Sequence, residues 1–421
     1  MPAKNLSLLR REGFFIGNAF FKNPWVTAPA STSARDGLGP LFNTNACQSC
    51  HVKDGRGRPP NNDELMISML VRVSVDVPYT DQNQQSLIKN GLIADPVYGS
   101  QIQNRAVEGV KPEAKVTLAW HESDFKFPDG EIVSLRRPEI ILSNLAYGDL
   151  HENVIFSARV APVMVGMGLL DAIPEETLEN FVRAQKQSNA GVSGKLNQVW
   201  DRQLNKITAG RFGWKAAMPT VRQQVAAAFS GDIGITSHFF PESTCSNKQV
   251  HCLSKPSGGE PELEDEILDF VTFYSKSLAV PARRNLDSAS VMQGERIFAE
   301  LGCNHCHIDT VTTGIDKQFP EYSQQEIHPY TDLLLHDMGE GLADGMREFD
   351  ASGSEWRTPP LWGIGLLQTV NEHTNLLHDG RARNVEEAIL WHQGEGISSR
   401  DAYANLTYKK RKSLLDFVNS L

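Results

Sequence analysis

Cys303-Asn304-His305-Cys306-His307 repeats the pattern of Cys47-Gln48-Ser49-Cys50-His51, and the reading of the whole chain turns on that shared C-x-x-C-H spacing. At this spacing two thiols add to the vinyl groups of a haem while the adjacent imidazole reaches its iron. With 6 Cys and 12 His in the chain, chance yields one such pentapeptide in roughly two or three of a thousand shuffled sequences, and two on the order of once in a hundred thousand. A zinc ribbon built from two C-x-x-C pairs would leave the histidine after each pair without a task. The residues therefore imply two covalently attached haem c groups, with Cys47, Cys50, Cys303 and Cys306 as thioether positions and His51 and His307 as proximal iron ligands.

The rest of the chain can house them. With 421 residues and 40% hydrophobic residues it builds ordinary cores in two or three domains. A formal net charge of -10 argues against nucleic acid and anionic membrane surfaces and leaves docking to a basic redox protein open. No stretch has the length of a membrane span. Residues 1 to 30 lack a basic start, apolar core and cleavage site, so the periplasmic location that haem c attachment implies requires an export signal trimmed ahead of this sequence. The remaining cysteines, Cys245 and Cys252, are expected to pair as a disulfide in that oxidising compartment.

Outward from the motifs, residues 1 to 40 read as an aromatic and Pro/Gly-rich arm. Apolar residues alternate from Ile67 to Val77 as in a half-buried strand, and Lys115 to Trp120 with the turn Pro128-Asp129-Gly130 predicts a hairpin. Helices are expected at Pro174 to Lys186, Pro219 to Phe229 and about 262 to 278, with residues 230 to 262 a surface excursion. Beyond a linker at 281 to 285, Ser290 and Gln293 fit a capping box. Val291, Gly294, Phe298 and Leu301 mark a helix running into Cys303, and Leu414, Phe417, Val418 and Leu421 the helix that covers it. The fold expected is mainly α: two cytochrome c-like haem domains, 1–285 and 286–421, with small β insertions and long loops.

Trp356-Arg-Thr-Pro-Pro-Leu361, Leu377-His-Asp-Gly-Arg381 and Val385-Glu-Glu-Ala-Ile-Leu-Trp-His392, together with the two haem motifs, resemble the bacterial di-haem cytochrome c peroxidase and MauG superfamily. Pro162 to Gly168, Arg211-Phe-Gly-Trp214, Thr331 to Gly345 and residues 356 to 396 resemble its di-haem oxidoreductase branch, also labelled thiol oxidoreductase. The resemblance implies that His392 occupies the position of the distal ligand, usually Met, of the second, electron-transferring haem. It places His336 and His378 near that haem, and Arg357, Arg381 and Arg383 as candidates for pairing with propionates, as Arg56 and Arg58 are by their charge. It also implies a small redox protein or quinol-linked donor or acceptor, a small oxidant such as peroxide, and allows a calcium ion.

The first motif departs from the relatives. No histidine follows between His51 and His121, and Met164 in Ala161-Pro162-Val163-Met164-Val165 stands where peroxidases carry a catalytic Glu. Met164, Met167, His121 and His151 are the candidate sixth ligands of that haem; if none binds, it is the open site of substrate chemistry. An electron carrier with both irons saturated is the competing expectation.

Overall fold

The computed structural model describes residues 1–61, 64–78, 80–188 and 190–421. Each C-x-x-C-H segment sits beside a pair of helices that cross at a glycine. Leu8–Lys22 (α1) opens at Ser7, whose hydroxyl accepts from the Arg10 amide, and buries Phe14, Gly17 and Phe21. It crosses Asp265–Lys276 (α2) so closely that a Cβ on Gly17 would lie 2.0 Å from the Phe270 carbonyl oxygen. In the second half Ala289–Glu300 (α3) and Tyr408–Val418 (α4) repeat the arrangement, a Cβ on Gly294 falling 1.9 Å from the Ser413 carbonyl oxygen. Val291, Phe298, Leu414 and Phe417 fill the contact.

The expectation of a mainly α chain is overturned: helix makes up 32% and strand 17% of the chain, the strands forming two-stranded sheets. Met69–Val75 (β1) pairs antiparallel with Val154–Val160, and between them Lys115–Lys126 (β2) and Ile132–Ser143 (β3) form a ribbon with 12 residues in each strand. The hairpin turn falls where Pro128-Asp129-Gly130 predicts it, Gly130 N donating to the Phe127 carbonyl over 3.0 Å. The strands outrun the sequence reading because the ribbon is largely solvated and polar residues such as Glu122 and Asp124 sit in it without alternation.

Three local expectations also change. Residues 1 to 40 hold a full helix, whose exposed Phe15 and Ile16 break the periodicity that would announce it. Helix α3 begins at Ala289, and Ser290 spends its hydroxyl on Asp416 of α4 over 2.6 Å, so no capping box forms. Residues 230 to 262 are no surface excursion: Ile233, Ile235, Phe239 and Cys252 are buried, and Cys245 and Cys252 form a disulfide.

The two large hydrophobic cores draw on both sides of residue 285. One joins Val71, Val73 and Val160 to Phe298, Trp356 and Phe417; the other joins Phe21, Phe229 and Val271 to Leu333, Leu334 and Trp362. The ribbon adds a polar seam, Arg411 of α4 donating to Asp129 over 2.9 Å and Arg136 to the Arg381 carbonyl over 3.1 Å. Among the described residues no helix is long and apolar enough to cross a membrane.

Candidate haem sites

Past the end of helix α3 at Glu300, Gly302, with a positive φ of 74°, turns the chain into Cys303. The turn opens onto a cavity of about 210 Å³ lined by Cys303, Cys306, His307, Trp356, His392 and Leu414 among others. His307 donates from Nδ1 to the Tyr330 carbonyl over 2.9 Å, and His392, just past the helix Val385–Leu390, donates from Nδ1 to the Ala388 carbonyl over 2.7 Å. A carbonyl only accepts, so both rings carry their proton on Nδ1 and keep the Nε2 lone pair. Burial lowers both pKa values, that of His307 to about 4, so the two rings are neutral at physiological pH. Two neutral imidazoles with free lone pairs thus line one cavity beside two thiols.

Beneath Cys306 lies a charged clamp. His336 is fully buried, its Nε2 2.8 Å from Asp332 Oδ2, its Nδ1 2.7 Å from Glu395 Oε2, and the Cys306 sulfur 3.6 Å from Nδ1. Burial opposes a charge on the ring, but the hydrogen bond and charge of Asp332, with Cys306 and Glu395, outweigh it and raise the pKa to about 12. Since both nitrogens hold carboxylates, His336 has no lone pair to offer a metal. Cys306, Asp332 and His336 are nonetheless the group of three metal-capable side chains that comes together among the described residues.

The other histidines and arginines of this half divide by what they touch. His378 stacks on Trp356 with ring centroids 3.7 Å apart, and burial takes its pKa down to about 3. Arg381 pairs with Asp379 over 2.7 Å and Arg383 with Glu387 over 2.7 Å, so both already hold a carboxylate. His328 hydrogen-bonds Thr310, His373 the Arg56 carbonyl, and Met346 is buried beside Arg159, while Met338 lines the cavity.

The helical turn Cys47–Cys50 and His51 open onto a different cavity, about 250 Å³, which Met164 and Met167 also line. His51 packs near Phe21, ring centroids 6.2 Å apart, and its buried Nδ1 has no partner in hydrogen-bond geometry. Burial lowers its pKa to about 4, and the carbonyls of Gly55 and Pro162 face the ring. Met164 follows Pro162 and donates its amide to the Asp54 carbonyl over 3.2 Å. His121 lies on the exposed ribbon, 2.5 Å from Glu139, and neither it nor His151 lines this cavity.

The two cavities share a wall made of Arg56, Val163, Trp214, Arg357, Pro359 and Pro360. The Trp214 indole is fixed by Nε1 donating to the Val160 carbonyl over 2.8 Å, with the Arg56 guanidinium 5.0 Å from its ring centroid. Arg56 and Arg357 are buried, burial lowers each pKa to about 10, and neither has a carboxylate partner among the described residues. Buried cations without counter-charge are costly, and the carboxylates of a haem would supply it. Free cysteines in pairs, neutral imidazoles and two unpaired guanidiniums together fit a haem in each cavity. The motif Arg211-Phe-Gly-Trp214 gives Trp214 no role, and no motif points to Arg72, Gln101 and Asp232 of the first cavity. Arg72 was visible only as a polar position in an alternating strand.

The family described as "Di-haem oxidoreductase, putative peroxidase" matches residues 1–421, so the chain belongs to that family of haem proteins. A search of curated proteins found no match. Among solved structures, xenon-pressurised hydrazine synthase of Kuenenia stuttgartiensis is similar over 42% of this chain and 63% of that one, at 17% identity and a TM-score of 0.26, a likeness too slight to bear on fold or function.

Proposed function

We propose that the protein is an exported, periplasmic di-haem c-type oxidoreductase of peroxidase character, with haem units at residues 1–285 and 286–421. In this reading Cys47 with Cys50 and Cys303 with Cys306 form thioethers to the two haems, His51 and His307 bind the irons, and His392 completes a bis-imidazole second site. The observation that carries it is the asymmetry of histidines: two with free Nε2 atoms line the second cavity, whereas His51 is the histidine of the first. When bound, the haems supply the redox chemistry; a saturated iron passes electrons and an open one takes a small oxidant such as peroxide.

The chain's own residues hold and orient. Tyr330 and Ala388 fix the tautomers of His307 and His392. Arg56 and Arg357 face the propionates, and Trp214 fills the wall between the sites. Electrons come from a small redox protein or a quinol-linked donor. The experiment is steady-state peroxide reduction with a reduced cytochrome as donor, alongside a room-temperature spectrum of the oxidised protein. Turnover with one high-spin and one low-spin haem is expected; no turnover above free haem with two low-spin centres overturns it. A second reading, an electron carrier with two saturated irons, is favoured by Met164 and Met167 on the first cavity wall and predicts that second result. Buried acidic residues such as Asp344 and Asp379 are occupied by Arg159, Lys215 and Arg381, so they offer the calcium ion no ligands.

A further inference from the structure

Two carboxylates line the first cavity, Asp232 and Glu348. Glu348 is committed to Arg159, 2.5 Å away. Asp232 has no ion pair among the described residues: its Oδ1 accepts from Gln101 Nε2 over 2.9 Å, and Gln101 Oε1 in turn accepts from Arg72 Nη1 over 3.2 Å. Guanidinium, amide and carboxylate thus form one row along the cavity. The Arg72 Nε is buried with no partner among the described residues, an unused donor in that row. Asp232 lies in the π-helical turn Phe229–Ile233, where its carbonyl is held by the amides of Asn43, over 2.9 Å, and Thr44, over 3.1 Å, so the backbone that carries the carboxylate is fixed. A single wide turn of this kind is a common device at functional sites.

Resting on the oxidoreductase reading above, we propose that the row Arg72-Gln101-Asp232 is the polar end of a small-ligand site in the first cavity, and that Asp232 is the group that exchanges a proton with a protic ligand bound there. It takes the place of the Glu that Met164 replaces. With hydrogen peroxide, Asp232 removes the proton from one oxygen and returns it to the other, so that the O–O bond breaks with water leaving. The overall change is one peroxide, two electrons from the external donor and two protons from solvent giving two waters. Arg72 supplies positive charge and a free N–H to the ligand.

Burial pushes the Asp232 carboxyl up to about 6, against the Gln101 hydrogen bond and the charge of Arg72. The titratable groups that feel it are Arg72 and the sulfurs of Cys47 and Cys50, which thioether formation would make neutral.

The test is cyanide uptake by the oxidised holo-protein, followed in the Soret band from pH 5 to 8, in wild type and Asp232→Asn. Hydrogen cyanide must lose its proton to bind as the anion, so the wild-type rate should rise through an inflection near pH 6. Asp232→Asn should bind roughly a hundredfold more slowly at pH 7 and lose the inflection. Asp232→Glu should restore it at a shifted pH, which separates loss of the carboxyl from loss of the fold; haem content and circular dichroism are checked in each. Equal rates and profiles in wild type and Asp232→Asn overturn the assignment while leaving the open first haem in place. No cyanide uptake by wild type at any pH overturns the assignment together with the open haem.

Discussion

The first and second cavities begin from the same C-x-x-C-H pattern and end in different electrostatic designs. Around the second, apart from Arg56 and Arg357 of the shared wall, charges are met by partners: His336 sits between two carboxylates, Arg381 holds Asp379 and Arg383 holds Glu387. Around the first, Arg72 and Asp232 have no ion pair among the described residues, Asp232 having the Gln101 amide; Glu113, outside the cavity lining, is buried with neutral donors alone. A finished site spends its charges on itself, which accords with the electron-passing role proposed above for the second haem. An unfinished one keeps charge in reserve for something that arrives.

The largest expected effect breaks the comparison outright. Replacing Cys303 and Cys306 by Ser should lower covalent haem from two to one per chain, with the survivor on a peptide containing Cys47, measured by pyridine haemochrome and peptide mass spectrometry. Two haems still bound covalently would mean that the second pentapeptide is not an anchor. Next, His392→Ala should convert one low-spin haem to high spin and leave the other spectrum unchanged, while His392→Met should raise the potential of that haem, since thioether ligation favours the reduced iron. An unaltered spectrum of His392→Ala would remove the imidazole from the second iron and erase the asymmetry.

The third prediction sharpens the contrast in charge. His336→Gln leaves buried Asp332 and half-buried Glu395 without their cation and should cost about 3–5 kcal/mol in chemical denaturation. Its signature should be loss of low-spin character at the second haem, because Glu395 lies three residues beyond His392. The smallest effect concerns pH. Burial raises the Glu113 carboxyl to about 8 from an ordinary 4.5, so between these values the folded chain binds more protons than the unfolded one. Stability contributed by neutral Glu113 is fully present below pH 4.5 and is lost as pH rises through about 8. Glu113→Gln should therefore flatten the melting temperature between pH 6 and 9, gaining a few degrees at the alkaline end, by calorimetry. A wild-type melting temperature that does not fall over that range would dissociate Glu113 from the pH response.

What the residues disclose in advance follows from how local each signal is. The pentapeptides, the turn at Asp129-Gly130 and the helix faces of Val291, Phe298, Leu414 and Phe417 depend on neighbours a few positions away, and all were legible. Helix α1 was not, because its outward Phe15 and Ile16 are as apolar as its buried Phe14 and Phe21. The length of the ribbon was hidden because its strands answer to residues such as Arg411, 282 positions from Asp129. The row Arg72-Gln101-Asp232 was invisible for the same reason: an alternating strand, a loop and a wide helical turn contribute one residue each, and no spacing connects them. Arg381 reads in sequence as a candidate for pairing with a propionate, and in the fold it holds Asp379 over 2.7 Å.

That ribbon has a consequence for how the molecule is made. Residues 115 to 143 leave the ribosome long before Arg411 exists, yet Asp129 and Glu131 take their cation from it and Phe127 packs near Tyr403, ring centroids 6.3 Å apart. Contacts of such long sequence separation form late, because the loop must close before they repay its entropy. The first half of the chain thus waits, with its ribbon unlatched, until the second half is complete.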